Sequence, residues 1–159
     1  MLKTISTGAV SNQTSRRAMA GLSAIAMSLL IAGCGAMGMG AGMQPAGRVT
    51  LSGASEVPAN PSKATGSGTI TVAADHSVIG SVTTSGVDGN AAHIHQAAMG
   101  ANGPVIVPLT KTAEGTWSVP AGARLTDAQY AGYVAGDLYV NVHSATYAGG
   151  EIRGQLNAK

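Results

Sequence analysis

Glycine and proline interrupt residues 48–156 so often that only short runs of regular structure fit between them. The interrupting residues are Gly53, Pro58, Pro61, Gly66, Gly86, Gly89, Gly100, Gly103, Pro108, Gly115, Pro120, Gly136, Gly149 and Gly150. The runs between them alternate, so that Val78 and Val82 of 78-VIGSVTT-84 share one face of an extended chain. Short β-rich runs separated by such turns predict an all-β fold, either an antiparallel sandwich or a barrel.

One segment departs from this pattern. In 124-RLTDAQYAGYVAG-136 the apolar residues recur at near-helical spacing, Thr126 can cap the start and Gly136 can end the helix. We therefore predict a single short helix beside the strands. The chain has no phenylalanine and one tryptophan, so Trp117 is the expected largest contributor to a core of Val, Ile, Leu and Ala.

The first 33 residues have the organisation of an export signal. Basic residues, including the pair Arg16-Arg17, precede the apolar run 18–30, which ends in 30-LIAGC-34. A basic segment, a short apolar segment and small residues before a cut are typical of a secretory signal peptide. The apolar run is shorter than the roughly 20 residues of a permanent span. We predict a signal peptide over residues 1–33, exported by the general or the twin-arginine route.

Cys34 is the only cysteine, so it has no intramolecular disulfide partner. The sequence 30-LIAGC-34 resembles a bacterial lipobox, which implies cleavage before Cys34 and attachment of diacylglycerol and a fatty acyl chain such as palmitate. Several acyl chains anchor a protein stably to a membrane. The alternative is an ordinary signal peptide followed by an unrelated cysteine. Gly35 is not the aspartate of inner-membrane retention, so we expect a lipid-anchored envelope protein, at the outer membrane of a Gram-negative host.

The segment 34–47 continues as 35-GAMGMGAGMQPAG-47, in which glycine and alanine dominate and no periodic apolar face is present. Such a composition predicts a flexible tether between the membrane and a folded domain at residues 48–159. Its thioethers at Met37, Met39 and Met43 suit Cu(I), although a linker tolerates methionine without any such role.

Charge excludes one class of partner. Once residues 1–33 are removed, six basic and seven acidic side chains remain, a net charge of −1. Binding to nucleic acid depends on clustered Lys and Arg that neutralise phosphates, and this chain retains no such cluster. We therefore expect no nucleic-acid partner.

Three segments together carry a family resemblance: 50-TLSGASEVP-58, 91-AAHIHQAAMGANGPVIVPL-109 and 136-GDLYVNVHSATYAGGEIRGQL-156. They resemble the chordin-type (CHRD) domain family, whose members include chordin, an extracellular binder of growth factors, and many secreted bacterial proteins. The resemblance covers about residues 48–156 and implies an immunoglobulin-like, Greek-key antiparallel β-sandwich with, here, one short helix. It implies no reaction. The chain departs from many members at Ala59, where they have a second proline.

Two histidines stand one residue apart in 91-AAHIHQ-96, and a third lies in 138-LYVNVHSA-145. Residues i and i+2 of a strand point to the same face, about 7 Å apart at their bases. If these segments are neighbouring strands, His93, His95 and His143 project from the face opposite the core. Three imidazoles with an open position suit Zn²⁺ or Cu²⁺, so we predict a metal site there.

Other roles for these residues remain open. The histidines can be structural, bonded to loop carbonyls or to Asn141 and Glu151. Met99 is a candidate soft ligand, although methionine more often fills gaps in a core. Glu151 and Arg153 can bind a carboxylate or a carbohydrate, or can pair with each other or with a neighbouring strand. The candidate binding surface consists of Met99, Asn141, Glu151 and Arg153. His76 lies at a predicted turn and is expected on the surface.

These observations favour a non-enzymatic, membrane-anchored binding module that holds a copper or zinc ion. The alternative is a metal-free module that presents loops 97–104 and 144–150 to an envelope protein or polymer. A copper-dependent redox enzyme is a third reading, because His-Ile-His is similar to the His-Val-His strand of copper-zinc superoxide dismutases. That family's bridging histidine and zinc-binding aspartate have no counterparts here, and no catalytic triad, phosphate loop or carboxylate pair is present.

Overall fold

The computed structural model describes residues 47–158. The predicted signal peptide, Cys34 and the tether up to residue 46 lie outside the described residues. Within residues 47–158, no helix combines the length and the apolar character that crossing a membrane requires.

The described chain is built almost entirely of strands. They are β1 Arg48–Ser52, β2 Thr65–Val72, β3 Val78–Ser85, β4 Gly89–Gln96, β5 Val105–Pro108, β6 Thr110–Ala113, β7 Thr116–Ser118, β8 Leu138–Ser144 and β9 Ile152–Leu156. A 3₁₀ helix, Gly53–Ser55, follows β1, and a single α-helix, α1, covers Asp127–Ala135. All strand pairs are antiparallel. The all-β architecture with one short helix is confirmed.

The strands form one sheet of nine, in the order β5-β4-β8-β9-β1-β2-β3-β7-β6. Its two edge strands, β5 and β6, are separated in sequence only by Leu109, so the edges lie beside each other and the sheet curls nearly into a barrel. The predicted immunoglobulin-like Greek-key sandwich of two sheets is not evident. Alternation along a strand predicts one buried face, but it does not distinguish two packed sheets from one curled sheet.

The core fills the inside of this curl. Alternate residues of the strands point inward and lose nearly all contact with water, as period-2 patterning requires. Those that are fully buried are Leu51, Ile70, Val82, Ile94, Leu138, Val140, Val142, Ile152 and Leu156. Trp117 is 3% exposed and is the largest side chain of the core, as predicted. Each such side chain contributes on the order of 1.5–3 kcal/mol of burial free energy.

Helix α1 begins and ends as its sequence predicts. The Thr126 hydroxyl accepts a hydrogen bond from the Gln129 N–H, and the Gln129 side chain accepts one from the Thr126 N–H, which together form a capping box. Gly136 ends the helix in the left-handed region at φ 83°. Tyr133 is the helix side chain that packs into the core, whereas Val134 is 54% exposed.

Candidate metal centre

His93, His95 and His143 lie on the outward face of two paired strands. In the β4–β8 register His95 is opposite Tyr139, and Ala91 is opposite His143. The residues that alternate with the histidines are buried in the core: Ala92, Ile94, Leu138, Val140 and Val142. The predicted placement of three histidines on one face is therefore confirmed.

The three imidazoles form a compact cluster. One ring nitrogen from each lies within 4.8 Å of the others, and His93 Nδ1 lies 3.0 Å from His143 Nε2. The ring centroids of His93 and His95 are 5.5 Å apart. Tetrahedral zinc, with bonds of about 2.0–2.1 Å, holds its ligand nitrogens about 3.3 Å apart. The rings therefore need to move by only about 1 Å to share one ion.

Backbone carbonyls fix which nitrogen each ring presents. His95 Nδ1 donates to the Gly103 carbonyl at 3.0 Å, and His143 Nδ1 donates to the Ala148 carbonyl at 3.0 Å. A carbonyl can only accept, so the proton of each neutral ring lies on Nδ1 and the lone pair on Nε2. Metal-binding histidines are commonly oriented in this way, with the second ring nitrogen bonded to a carbonyl or carboxylate.

His95 Nε2 is the exceptional atom of the cluster. It is buried and has no hydrogen-bond partner among the described residues. His93 and His143 differ, because the Nδ1–H of His93 can donate to Nε2 of His143. A buried lone pair without a donor costs about 1–3 kcal/mol, and such groups in folded proteins require a specific explanation.

The environment favours the neutral form of His93 and His95. Burial lowers the pKa of His93, and the neighbouring His143 and His95 lower it further. Burial also lowers the pKa of His95, with His143 and Arg153 acting in the same direction and the Gly103 hydrogen bond opposing them. Neutral imidazole is the form that binds a metal ion, so the lowered pKa values of His93 and His95 favour their ligand form.

A stack of planar side chains supports His95 from the side. The Tyr139 ring is stacked on His95 with centroids 4.8 Å apart and an interplanar angle of 9°. The Arg153 guanidinium lies 3.4 Å from the centre of the same Tyr139 ring. Tyr139 and Arg153 are each 2% exposed. A tyrosine held between a neighbouring ring and a guanidinium cannot rotate freely, so the stack fixes His95 in place.

Two loops cover this face of the sheet. The loop at 97–104 places Gly103 where its N–H donates to the Tyr139 hydroxyl at 3.2 Å, and a Cβ at Gly103 would overlap the Gln96 carbonyl. The loop at 145–151 places Gly150 at φ 135°, where a Cβ would overlap the Asn141 amide. Glycine is required at both positions because the backbone approaches the sheet so closely.

A buried carboxyl, Glu56, extends the polar layer and was missed by the sequence analysis. Glu56 is 6% exposed, and its Oε1 accepts a hydrogen bond from Asn141 Nδ2 at 2.7 Å. Burial raises the pKa of Glu56 to about 7, against opposing effects of Arg153 and the Val57 N–H. The only sequence signal is an acidic residue inside the segment 50–58, and nothing in its spacing indicates burial.

The remaining members of the candidate binding surface are Glu151, Arg153 and Met99. Glu151 accepts hydrogen bonds from the Ser62 hydroxyl at 2.7 Å and from the Ser144 hydroxyl. No ion pair joins Glu151 to Arg153 among the described residues. Met99 is 79% exposed and lines a cavity with Arg153.

His76 is separate from the cluster. It lies between β2 and β3 at φ 70°, its ring stacks on Tyr130 at 4.2 Å, and its Nδ1 lies 3.4 Å from the Asp127 carboxylate. The predicted turn is confirmed, although stacking on Tyr130 leaves the side chain only 26% exposed.

Comparison with known proteins identifies one family. A family model described as the CHRD domain matches residues 48–156. No curated protein and no solved structure matches the chain. The matched range is more than half of the chain and runs from β1 to β9, so it contains the three histidines, Glu56 and Arg153.

Proposed function

The chain belongs to the CHRD domain family, and from that premise we propose that its domain is a non-enzymatic binding module that holds a copper or zinc ion through His93, His95 and His143. The observation that carries the proposal is the buried, unpartnered Nε2 of His95, whose ring belongs to a cluster with ligand atoms within 4.8 Å of one another. A bound ion supplies the partner that this atom lacks. Three imidazoles, with no thiolate or carboxylate among them, suit Zn²⁺ or Cu²⁺.

The metal-free alternative assigns the histidines a structural role. The His93–His143 contact of 3.0 Å and the two carbonyl contacts satisfy four of the six ring nitrogens. A fifth, His93 Nε2, is satisfied only if water reaches it. His95 Nε2 remains unsatisfied in that arrangement. Since a buried acceptor without a donor is unfavourable, the metal-bound arrangement is the better account.

The proposed site holds a single ion. Among residues 47–158, His93, His95 and His143 are the only group of three or more metal-ligating side chains. A second metal or an adjacent carboxylate acid–base pair, on which hydrolytic and redox centres commonly depend, is therefore not provided by the described residues. The ion instead connects two loops, because the Gly103 and Ala148 carbonyls orient two of its ligands. Metal binding then orders the surface that these loops present to an envelope protein or polymer.

Calorimetric titration of the full-length chain in detergent, with Cu²⁺ and Zn²⁺ at pH 7.5, tests the proposal. We expect about one equivalent to bind, His95→Ala to abolish binding, and His76→Ala to leave binding unchanged. His76 is the matched control, because it is a histidine of the same domain outside the cluster. Equal binding by His95→Ala and the native chain, or no stoichiometric binding by the native chain, would establish a structural role for the histidines.

The position of the module in the cell is a separate proposal. Cys34 carries a lipid anchor and residues 35–47 tether the domain to the bacterial envelope, at the outer membrane of a Gram-negative host. The lipobox-like 30-LIAGC-34 and the single cysteine support this placement. Cells fed a labelled palmitate analogue should label the native chain and not Cys34→Ser, and only the native chain should remain with the membrane fraction. Label on the serine variant would contradict the proposed site.

A further inference from the structure

A cavity of about 440 Å³ opens beside β1 and β9, on the opposite side of Tyr139 from His95. Its charged wall residues are Glu56 and Arg153, and its other walls are Thr50, Ala54, Ser55, Val57, Met99, Gly100, Gly154 and Gln155. A second cavity of about 410 Å³ shares Glu56 and Val57 with the first. A volume of this size accommodates a small organic molecule, since ligand sites usually measure roughly 300–1,000 Å³.

Arg153 is a buried cation without a counter-ion. Its residue is 2% exposed, and no carboxylate of the described residues lies within 4.0 Å of its guanidinium. Its polar contacts are two neutral amide oxygens, Asn102 Oδ1 at 3.2 Å and Gln155 Oε1 at 3.4 Å. A guanidinium has five N–H donors, and burying its charge is unfavourable unless an anion is paired with it.

Glu56 is not paired with Arg153, because no oxygen of its carboxyl lies within 4.0 Å of the guanidinium. The pKa of Glu56 is raised to about 7, chiefly by burial, so much of the carboxyl population is protonated at neutral pH. Arg153 on β9 is the charged group that faces Glu56, and Tyr147 is the other titratable side chain in the walls of the two cavities. A protonated carboxyl can donate one hydrogen bond, which a carboxylate cannot do. The cavity therefore combines an unpaired cation with a neutral donor.

We propose that this cavity binds the carboxylate of a small organic acid, with the Arg153 guanidinium as its ion-pair partner and the protonated Glu56 carboxyl as a hydrogen-bond donor. Guanidinium and carboxylate match in a planar, two-bond geometry. Tyr139 holds the guanidinium in place from its ring face. Thr50, Ser55 and Gln155 offer hydroxyl and amide groups to the remainder of the ligand. The site is distinct from the three histidines and does not require a metal ion.

Tartrate is a suitable probe, because it is a small dicarboxylate that stays ionised between pH 6 and pH 8.5. The full-length chain is first stripped of metal with EDTA and dialysed into metal-free buffer, and is then titrated with tartrate, so that the histidine cluster plays no part in the outcome. We expect saturable binding at pH 6 that weakens about tenfold or more at pH 8.5, because deprotonated Glu56 repels the incoming carboxylate.

Glu56→Gln separates this mechanism from nonspecific effects of pH. The amide keeps the hydrogen bond from Asn141 and stays neutral, so tartrate affinity should be the same at pH 6 and pH 8.5. Glu114→Gln is the matched control, because its side chain is 83% exposed and forms an ion pair with Lys111 instead; it should retain the native pH dependence. Arg153→Lys keeps a cation but loses the planar pair, and should weaken binding about tenfold.

Two results would overturn the proposal. One is the absence of saturable tartrate binding by the native chain at pH 6. The other is a pH dependence in Glu56→Gln equal to that of the native chain. Neither result depends on whether the histidines bind a metal ion, so the two proposals stand or fail separately.

Discussion

On β2 and β3 most outward side chains are exposed to solvent, whereas on β8 and β9 they are buried or half-buried beneath loops. Ile79 on β3 is 67% exposed, and Tyr139 on β8 and Arg153 on β9 are each 2% exposed. Both halves of the sheet contribute their other face to the same apolar core. The difference therefore lies in what covers the sheet from outside, and not in how the strands pair.

Side-chain hydrogen bonds join both covering loops to the segment 56–64. Asn60 Nδ2 donates to the Glu151 carbonyl at 3.0 Å, and Asn102 Nδ2 donates to the Val57 carbonyl at 2.7 Å. A buried polar layer is stable only when its groups are satisfied. Asn141 Oδ1 has no hydrogen-bond partner among the described residues, and two further groups, His95 Nε2 and the Arg153 charge, are also unsatisfied there. Those two groups mark the proposed ligand sites.

The largest expected effect that distinguishes the two halves is the removal of an outward ring. Tyr139→Ala should lower the free energy of unfolding by about 3 kcal/mol or more, because it empties a buried site and leaves both stacking neighbours unsupported. Ile79→Ala, at an outward but exposed position, should change it by less than about 0.5 kcal/mol. Urea unfolding measures both. Similar losses in the two variants would contradict the contrast between the halves.

A metal ion bound at the covered half should stabilise the folded chain. At a metal concentration one hundred times the dissociation constant, the native chain should gain about 2.7 kcal/mol of unfolding free energy. His95→Ala should gain none, and His76→Ala should gain the native amount. Protons compete for the lone pairs, so the gain should fall in acid. Because the pKa values of His93 and His95 are lowered, the loss should begin below the ordinary range of histidine.

Two adjacent glycines test how closely the loop at 145–151 approaches the sheet. Gly150→Ala should destabilise the fold by about 2 kcal/mol, because φ 135° strains an alanine and its Cβ would overlap the Asn141 amide. Gly149→Ala has open space around its Cβ, so we expect a change of less than about 0.5 kcal/mol. Thermal and urea unfolding of the two variants give the comparison, and metal affinity should fall in Gly150→Ala alone.

The sequence predicts the inner face well because alternation is a local signal. Strand periodicity placed Ile94, Val140 and Val142 in the core and, by the same rule, the three histidines outside it. The residues that cap α1, Thr126 and Gly136, were predictable for the same reason, because they act on residues close to them in the sequence. The strand pattern left a sandwich and a barrel open, and the family resemblance pointed to the sandwich. Alternation does not distinguish them, because it is the same in both and closure depends on the pairing of distant strands.

Burial of the outer layer could not be predicted for a related reason. Glu56 and Asn141 are 85 residues apart, and they meet only because loops fold over the sheet. The spacing of the two residues in the sequence does not indicate such a contact. The carbonyls of Gly103 and Ala148, which orient His95 and His143, are backbone groups and so have no sequence signature at all. The histidines were predictable as ligand types, but their orientation was not.

The smallest expected effect is the dependence of stability on the Glu56 proton. Its pKa is raised from 4.5 to about 7 in the folded chain, so the folded state holds a proton that the unfolded state has released. That contribution to stability is full below pH 4.5 and is lost as the pH rises through 7.

The lowered pKa values of His93 and His95 act in the opposite direction, so the informative quantity is the difference between Glu56→Gln and the native chain. Relative to the native chain, Glu56→Gln should gain about 2 kcal/mol of unfolding free energy between pH 5 and pH 8. Glu114→Gln, on the exposed side of the molecule, should show no such trend, and a flat difference for Glu56→Gln would mean that Glu56 is solvated and ionised like any surface carboxylate.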